Sequence, residues 1–137
     1  MRKTRRAQTS LEYMLALSMS VLLVSVIMVG GFKELELQIA LGTARMGGED
    51  FVSQNPYFSL GRIAYSQDVT GSTINISPIY YFHGSSSATA QNLITATNMS
   101  FVKLRSVFSP GNNTVSTNYC YNATYRSYCI SPVLLPV

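Results

Sequence analysis

The chain has 137 residues, of which only 12% are charged, against roughly 25% in average globular proteins. This length supports one folded domain plus a separate N-terminal element. The net charge is +4, but four of the ten Lys and Arg residues lie within the first six positions, which leaves six cations and six anions for the remainder. A nucleic-acid interface needs cations clustered on the folded part, so this distribution argues against a nucleic-acid partner.

The first predicted element is the uncharged run YMLALSMSVLLVSVIMVGGF at 13–32, bounded by Glu12 and Lys33. As a helix it spans roughly 30 Å, the thickness of the hydrocarbon core of a bilayer. The alternative is a buried helix of a soluble protein, but such helices are usually shorter and amphipathic. A secretory signal peptide has a shorter apolar core and a small-residue cleavage site after it. We therefore expect a retained transmembrane helix with its basic flank in the cytoplasm and the rest of the chain outside.

Glu12, at the edge of this run, has two interpretations. Thr9 followed three residues later by Glu12 fits a capping box with Thr9 as the N-cap residue. Alternatively, the carboxylate at the edge of hydrocarbon is compensated by a nearby cation, such as a free amino terminus on this chain or a neighbour.

The stretch RRAQTSLEYMLAL at 5–17 carries a family resemblance. It resembles the class III signal peptide of archaeal type IV pilin-like proteins. In these proteins a short basic leader and a small residue precede a glutamine, a glutamate is the fifth residue after the cut, and an uninterrupted apolar helix follows. The resemblance covers residues 2–32, and its strength lies in the agreement of all these features.

The resemblance implies that a prepilin peptidase of the membrane cuts between Ala7 and Gln8, with Arg6 and Glu12 as further parts of the processing motif. It also implies that the mature subunit passes to a pilus assembly platform and polymerises with identical subunits into a helical filament. The cut removes the four cations that hold the precursor in the membrane and creates an amine on Gln8. This amine can meet Glu12 of an adjacent subunit, so we expect Gln8 and Glu12 to form an assembly contact.

The helix is predicted to continue through KELELQIALGTARM at 33–46, where apolar residues recur at helical spacing. Gly30–Gly31 is a point at which it can kink. Gly47–Gly48 is the expected stop, because glycine accepts the left-handed C-cap conformation. With residues 1–7 as the cleaved leader, the helix is predicted over 8–48.

Residues 49–137, which we call the head, contain short β-like runs separated by turn-forming residues. The run SFVKLRSVF at 100–108 alternates apolar and charged residues, which is typical of a strand. The segment at 86–97 is ambiguous between a loop and a short helix. The sequence thus predicts an α+β protein with a long N-terminal helix and a small antiparallel sheet or sandwich. Whether the helix packs on the sheet or the sandwich stands alone remains open.

The two cysteines, Cys120 and Cys129, lie in the part expected outside the cell, which favours a disulfide over two free buried thiols. A metal site is not expected, because His83 is the sole histidine and no acidic cluster accompanies it. No cofactor motif is found.

Four Asn-x-Ser/Thr sequons suggest N-glycosylation of a head that has little charge to keep it hydrated: Asn75, Asn98, Asn112 and Asn122. The alternative is that Asn, Ser and Thr side chains hydrate the surface themselves and cap turns. Eight of the nine tyrosines also lie in the head. We expect them to fill the core of the sheet, with an adhesive aromatic surface as the alternative.

The sequence does not predict an enzyme, since it lacks a nucleophile with its base, paired carboxylates and a cofactor loop. It predicts a pilin: a cytoplasmic-membrane precursor that becomes the structural subunit of an extracellular filament for surface adhesion. A low-copy minor pilin, such as a tip or priming subunit, is one alternative. A membrane-anchored extracellular binding module that never polymerises is another.

Overall fold

The computed structural model describes residues 2–84, 90–108 and 119–136. The elements in chain order are α1 (Arg2–Gln54), β1 (Phe58–Gln67), β2 (Thr73–Phe82), α2 (Ala90–Phe108), β3 (Cys120–Asn122), β4 (Ser127–Ile130) and β5 (Val133–Pro136). The chain divides into two compact units, Met1–Leu35 and Glu36–Val137. We call the second the C-terminal unit; it holds the later part of α1, helix α2 and all five strands. The predicted α+β class, a long helix followed by a sheet, is confirmed.

Helix α1 is longer than the sequence predicts. It runs without a break through Gly30–Gly31 and does not stop at Gly47–Gly48, so the predicted helix end was wrong. It ends at Gln54, directly before Asn55–Pro56. The residue before a proline is disfavoured in helical conformation, and Asn55 also donates its side-chain amide to the carbonyl of Phe51 at 2.9 Å.

Gly47 serves packing between helices and does not cap the helix. A Cβ added at Gly47 would lie 2.4 Å from the Cα of Ser100 and 2.9 Å from the carbonyl oxygen of Met99, both in α2. Ser100 is fully buried, and its hydroxyl donates to the carbonyl of Ala44 at 3.3 Å. The two helices approach this closely because no side chain separates them.

The sheet is centred on β2 and is mixed, whereas the sequence predicted an antiparallel one. β1 pairs with β2 antiparallel, and β3 pairs with β4 antiparallel. β4 and β5 both pair parallel with β2, in the same register, on either side of Ser131–Pro132. The long connection through α2 accounts for this arrangement, because parallel strands require a crossover and not a tight turn.

The region predicted as a strand at 100–108 is the second half of helix α2, so that assignment was wrong. Phe101 and Leu104 are buried and Phe108 is half-buried, which is the spacing of one helical face. Over nine residues the alternating pattern and the helical pattern fit nearly the same positions, and contact with α1 decides in favour of the helix. The ambiguous segment is helical from Ala90, and its residues 86–89 lie outside the described residues.

The core of the C-terminal unit lies between the sheet and the two helices. One buried cluster combines Leu37, Ala40 and Ala44 of α1 with residues of both other layers: Ile74, Ile76, Phe101, Leu104, Tyr128 and Ile130. A second cluster contains Phe51, Phe58, Tyr80 and Ala96. The helix therefore packs on the sheet, and the alternative of a free-standing sandwich is ruled out. The expected core role of the tyrosines is confirmed for Tyr80 and Tyr128, which are 1% and 0% exposed.

A buried carboxylate fixes α1 to the strand that comes late in the chain. Glu36 is 7% exposed and accepts hydrogen bonds from the backbone N–H of Tyr125 at 3.2 Å and from the hydroxyl of Tyr128 at 3.1 Å. Burial raises the pKa of the Tyr128 hydroxyl, and the negative charge of Glu36 raises it further. The hydroxyl therefore stays protonated and remains a donor at physiological pH.

Substituting Gly47→Ala is expected to destabilise the C-terminal unit by about 1–3 kcal/mol, because the added methyl overlaps backbone that cannot move independently. Gly42→Ala is the matched control: its Cβ would meet nothing within 4 Å, so it should stabilise the helix by roughly 0.5–1 kcal/mol. Thermal unfolding of the full chain in detergent, followed by circular dichroism, measures both. Equal effects of the two substitutions would contradict the packing role of Gly47.

Tyr128→Phe is expected to cost about 1–3 kcal/mol of unfolding free energy, because the buried Glu36 carboxylate loses the hydroxyl that donates to it. Tyr125→Phe is the control, since Tyr125 bonds Glu36 through its backbone N–H and should leave stability nearly unchanged. Denaturant titration of the two variants compares them. Similar losses in both would show that the hydroxyl of Tyr128 contributes little.

Candidate membrane and assembly surface

The apolar run of α1 has no cover within the described chain. Every side chain from Glu12 to Leu35 is exposed, and the large apolar ones from Tyr13 to Phe32 are 45–72% exposed. Among the described residues, α1 is the one helix long and apolar enough to cross a membrane, with a mean hydropathy of 2.3 over its most apolar window. A surface of this kind is compatible with lipid or with other apolar helices around it.

The serines within this run do not present free hydroxyl hydrogens. Ser18 donates to the carbonyl of Leu15 at 2.9 Å, Ser20 to that of Ala16 at 2.9 Å, and Ser25 to that of Val21 at 2.8 Å. Burying an unpaired hydroxyl in an apolar medium is costly, and a bond to the preceding turn avoids that cost. Because these hydroxyls are bonded within the helix, the segment remains suited to apolar surroundings. The serine side chains are also small, so another helix can approach closely at these positions.

At the N-terminal end, Glu12 is exposed and forms no hydrogen bond or ion pair within the described part of the chain. Helix α1 begins at Arg2, so Thr9 is an interior helical residue and the capping-box interpretation is wrong for this uncut chain. Residues 2–7 extend the helix towards the N-terminus. Thr9 is therefore not at a helix end and has no end to cap. The backbone of Arg6, Ala7 and Gln8 is helical; their side chains lie outside the described ones, so the predicted contact of Gln8 with Glu12 stays a prediction.

Cys120 and Cys129 form a disulfide, as predicted. They face each other directly across the antiparallel pair of β3 and β4, with their Cα atoms 4.0 Å apart. Cys129 lies between the buried residues Tyr128 and Ile130, so its side chain points to the sheet face opposite the helices. The bond attaches the short strand β3 to the rest of the sheet.

The sequons fall in different environments. Asn75 on β2 and Asn122 on β3 are exposed, and Asn122 accepts a hydrogen bond from the hydroxyl of Ser127 at 2.6 Å. Asn98 is half-buried in α2, and the serine of its sequon is the fully buried Ser100. Asn112 lies outside the described residues. Asn75 and Asn122 therefore remain the better-placed glycosylation candidates among the sites described.

One polar pair was not foreseen from the sequence. The hydroxyl oxygen of Ser59 lies 2.8 Å from Nε2 of His83, at the paired ends of β1 and β2. His83 is exposed and Ser59 is half-buried, and the described residues contain no third group bonded to the imidazole that would orient it as a catalytic base. Nor do they contain a group of three His, Cys, Asp or Glu side chains that could hold a metal ion.

Comparison of the chain with protein-family models, with curated proteins and with solved structures finds no match. The features that bear on function are therefore those of the chain itself. Foremost among them is an exposed, uncharged helical segment whose hydroxyls are internally bonded. It is joined to a compact, disulfide-bonded α+β unit.

Replacing both cysteines, as C120S/C129S, is expected to lower the free energy of unfolding by roughly 2.5–3 kcal/mol, from the entropy of closing a ten-residue loop. Denaturant unfolding of the oxidised wild type and of the double variant measures the difference. Dithiothreitol should shift the wild type towards the variant and leave the variant itself unchanged. A wild type indifferent to reduction would argue against a stabilising role for the bond.

Proposed function

We propose that this chain is a pilin-like structural subunit of an extracellular, archaeal type IV pilus-like filament used for surface adhesion. It resides in the cytoplasmic membrane as a precursor, loses residues 1–7 to a prepilin peptidase, and polymerises through α1 on an assembly platform. The observation that carries the proposal is the combination at 5–32: a basic leader, Gln8, Glu12 and a 20-residue uncharged helix.

Electrostatics supports a switch at the cut. Arg2, Lys3, Arg5 and Arg6 would each cost several kcal/mol to pull through hydrocarbon, so the uncut chain is held in the membrane. Removal of the leader deletes all four charges and exposes a new amine on Gln8. That amine is a cation that can pair with Glu12 of a neighbour, a carboxylate that has no partner among the described residues, and the pairing fixes the axial register of the two subunits.

The surface of α1 is suited to moving from contact with lipid to contact with the helices of other subunits. Its side chains at 13–32 combine small residues, which permit close approach, with large apolar ones, which supply dispersion contacts. The same helix contributes Leu37, Ala40 and Ala44 to the core of the C-terminal unit. In a filament, the helix that holds the subunit would thus also be part of the core of its C-terminal unit.

Two alternatives differ in what they predict. A low-copy minor pilin would share the processing motif but appear rarely along a filament; the small C-terminal unit mildly favours the abundant kind. A membrane-anchored binding module would keep the same helix and never polymerise. Anchoring alone requires only an apolar segment long enough to span the bilayer. This alternative therefore gives Glu12 no role.

Glu12→Ala is expected to abolish surface filaments or reduce them strongly, because the buried register contact loses its anion. Electron microscopy of the native cells, with quantification of sheared filaments, measures this. Glu34→Ala is the control: it removes an exposed acid from the same helix outside the apolar run, and filaments should persist. The first residue of the filament protein should be Gln8 by N-terminal sequencing. Surface protein that begins at Met1 and stays monomeric would point to the anchored binding module.

A further inference from the structure

A groove of about 490 Å³ runs along the C-terminal unit between α1 and β1, which is an edge strand of the sheet. Leu41, Gly42 and Arg45 contribute the helix side, and Gly61, Ile63 and Tyr65 contribute the strand side. A second depression shares Arg45 and Gly61 and continues along the helix to Ser53. The combined groove is therefore elongated and follows the helix, a shape that fits a rod-like occupant.

The floor of the groove is open because of Gly42. A Cβ at this position would meet nothing within 4 Å, so the glycine creates a notch on the helix surface. Ile39 and Met46 flank the notch on the preceding and following turns and are 38% and 62% exposed. A notch between two exposed apolar side chains is the arrangement in which the ridge of another helix packs.

The charges of the groove do not favour an ionic ligand. The guanidinium of Arg45 is already paired with Glu49 at 2.9 Å. Arg62 and the uncharged Gln38 also line the groove, and both are exposed, so their polar ends can stay in water while their apolar stems face an occupant. The walls at Leu41, Ile63 and Tyr65 are apolar or aromatic, so an uncharged occupant is the better match.

We propose that this groove receives the apolar segment 13–32 of a second copy of this chain. That segment is uncharged, exposed along its length in the described chain, and carries serines whose hydroxyls are internally bonded. The proposed polymerisation places segment 13–32 of each copy against other copies, so the occupant comes from a second copy of the chain. The inference rests on the proposed polymerisation and specifies which surface of the C-terminal unit takes part in it.

The test places a photo-crosslinker beside the notch, so that the notch itself stays open. Met46→Cys, exposed on the following turn, is labelled with a benzophenone maleimide; the two native cysteines are paired and do not react. Filaments are assembled from a mixture of isotopically light and heavy subunits, irradiated, and digested for mass spectrometry. We expect peptides that join residue 46 of one copy to 13–32 of another, recognised by their mixed isotopic labels. Val107→Cys, exposed on α2, is the matched control and should not yield them.

A second variant avoids the label. Gly42→Leu fills the notch from a Cβ that meets nothing within 4 Å, and leucine favours the helix over glycine, so the thermal midpoint of the C-terminal unit should not fall. Filament yield should fall roughly tenfold, the effect of one overpacked contact per subunit, while Val107→Leu should leave the yield unchanged. Filaments that tolerate Gly42→Leu, or crosslinks that reach only other regions or other proteins, overturn the groove proposal alone. Absence of filaments from the wild type overturns the proposed function and the groove proposal with it.

Discussion

The C-terminal unit depends on the burial of one stripe of α1. Leu37, Ala40 and Ala44 lie against the central strands, and Phe51 extends the same contact to a second cluster. A small sheet with few charges has little else to stabilise it, since a domain of this size buries a limited fraction of its surface. The exposed ion pairs Arg45–Glu49 and Lys103–Asp50 add little, because solvent screens them. The helix is thus as much a part of the core as the strands are.

Features that depend on residues close together in the sequence could be predicted. The length of the uncharged run determines the apolar helix, and the setting of Cys120 and Cys129 indicated their bond. Features that depend on a contact between distant segments could not be predicted. Gly47 looks like a helix stop, yet its role is to admit the backbone of Ser100, which lies far along the chain. The alternation at 100–108 fits a strand equally well until the partner helix is known.

The features of the candidate assembly surface differ in the same way in whether the sequence predicts them. The proposed processing motif and the apolar run can be recognised in the sequence alone, because each is a short contiguous stretch. The groove at Gly42 cannot, because it exists only where β1 lies beside α1. Glu36 looked like one more exposed helix charge, and its burial depends on Tyr128 from a strand 92 positions later. Neither feature leaves a periodic signal within a single segment.

The position of β4 and β5 beside β2 has a consequence for the order in which the fold forms during synthesis. Residues 127–136 fill the place next to the central strand, and they bring Tyr128 and Ile130 into the core. Until this stretch is in place, the sheet lacks its interior neighbour and Glu36 lacks the two donors described above. Closure of the fold therefore waits for residues 127–136, which are synthesised after all the other described elements. An enzyme that acts on the nascent chain would meet Asn98 while its helix is still unpacked.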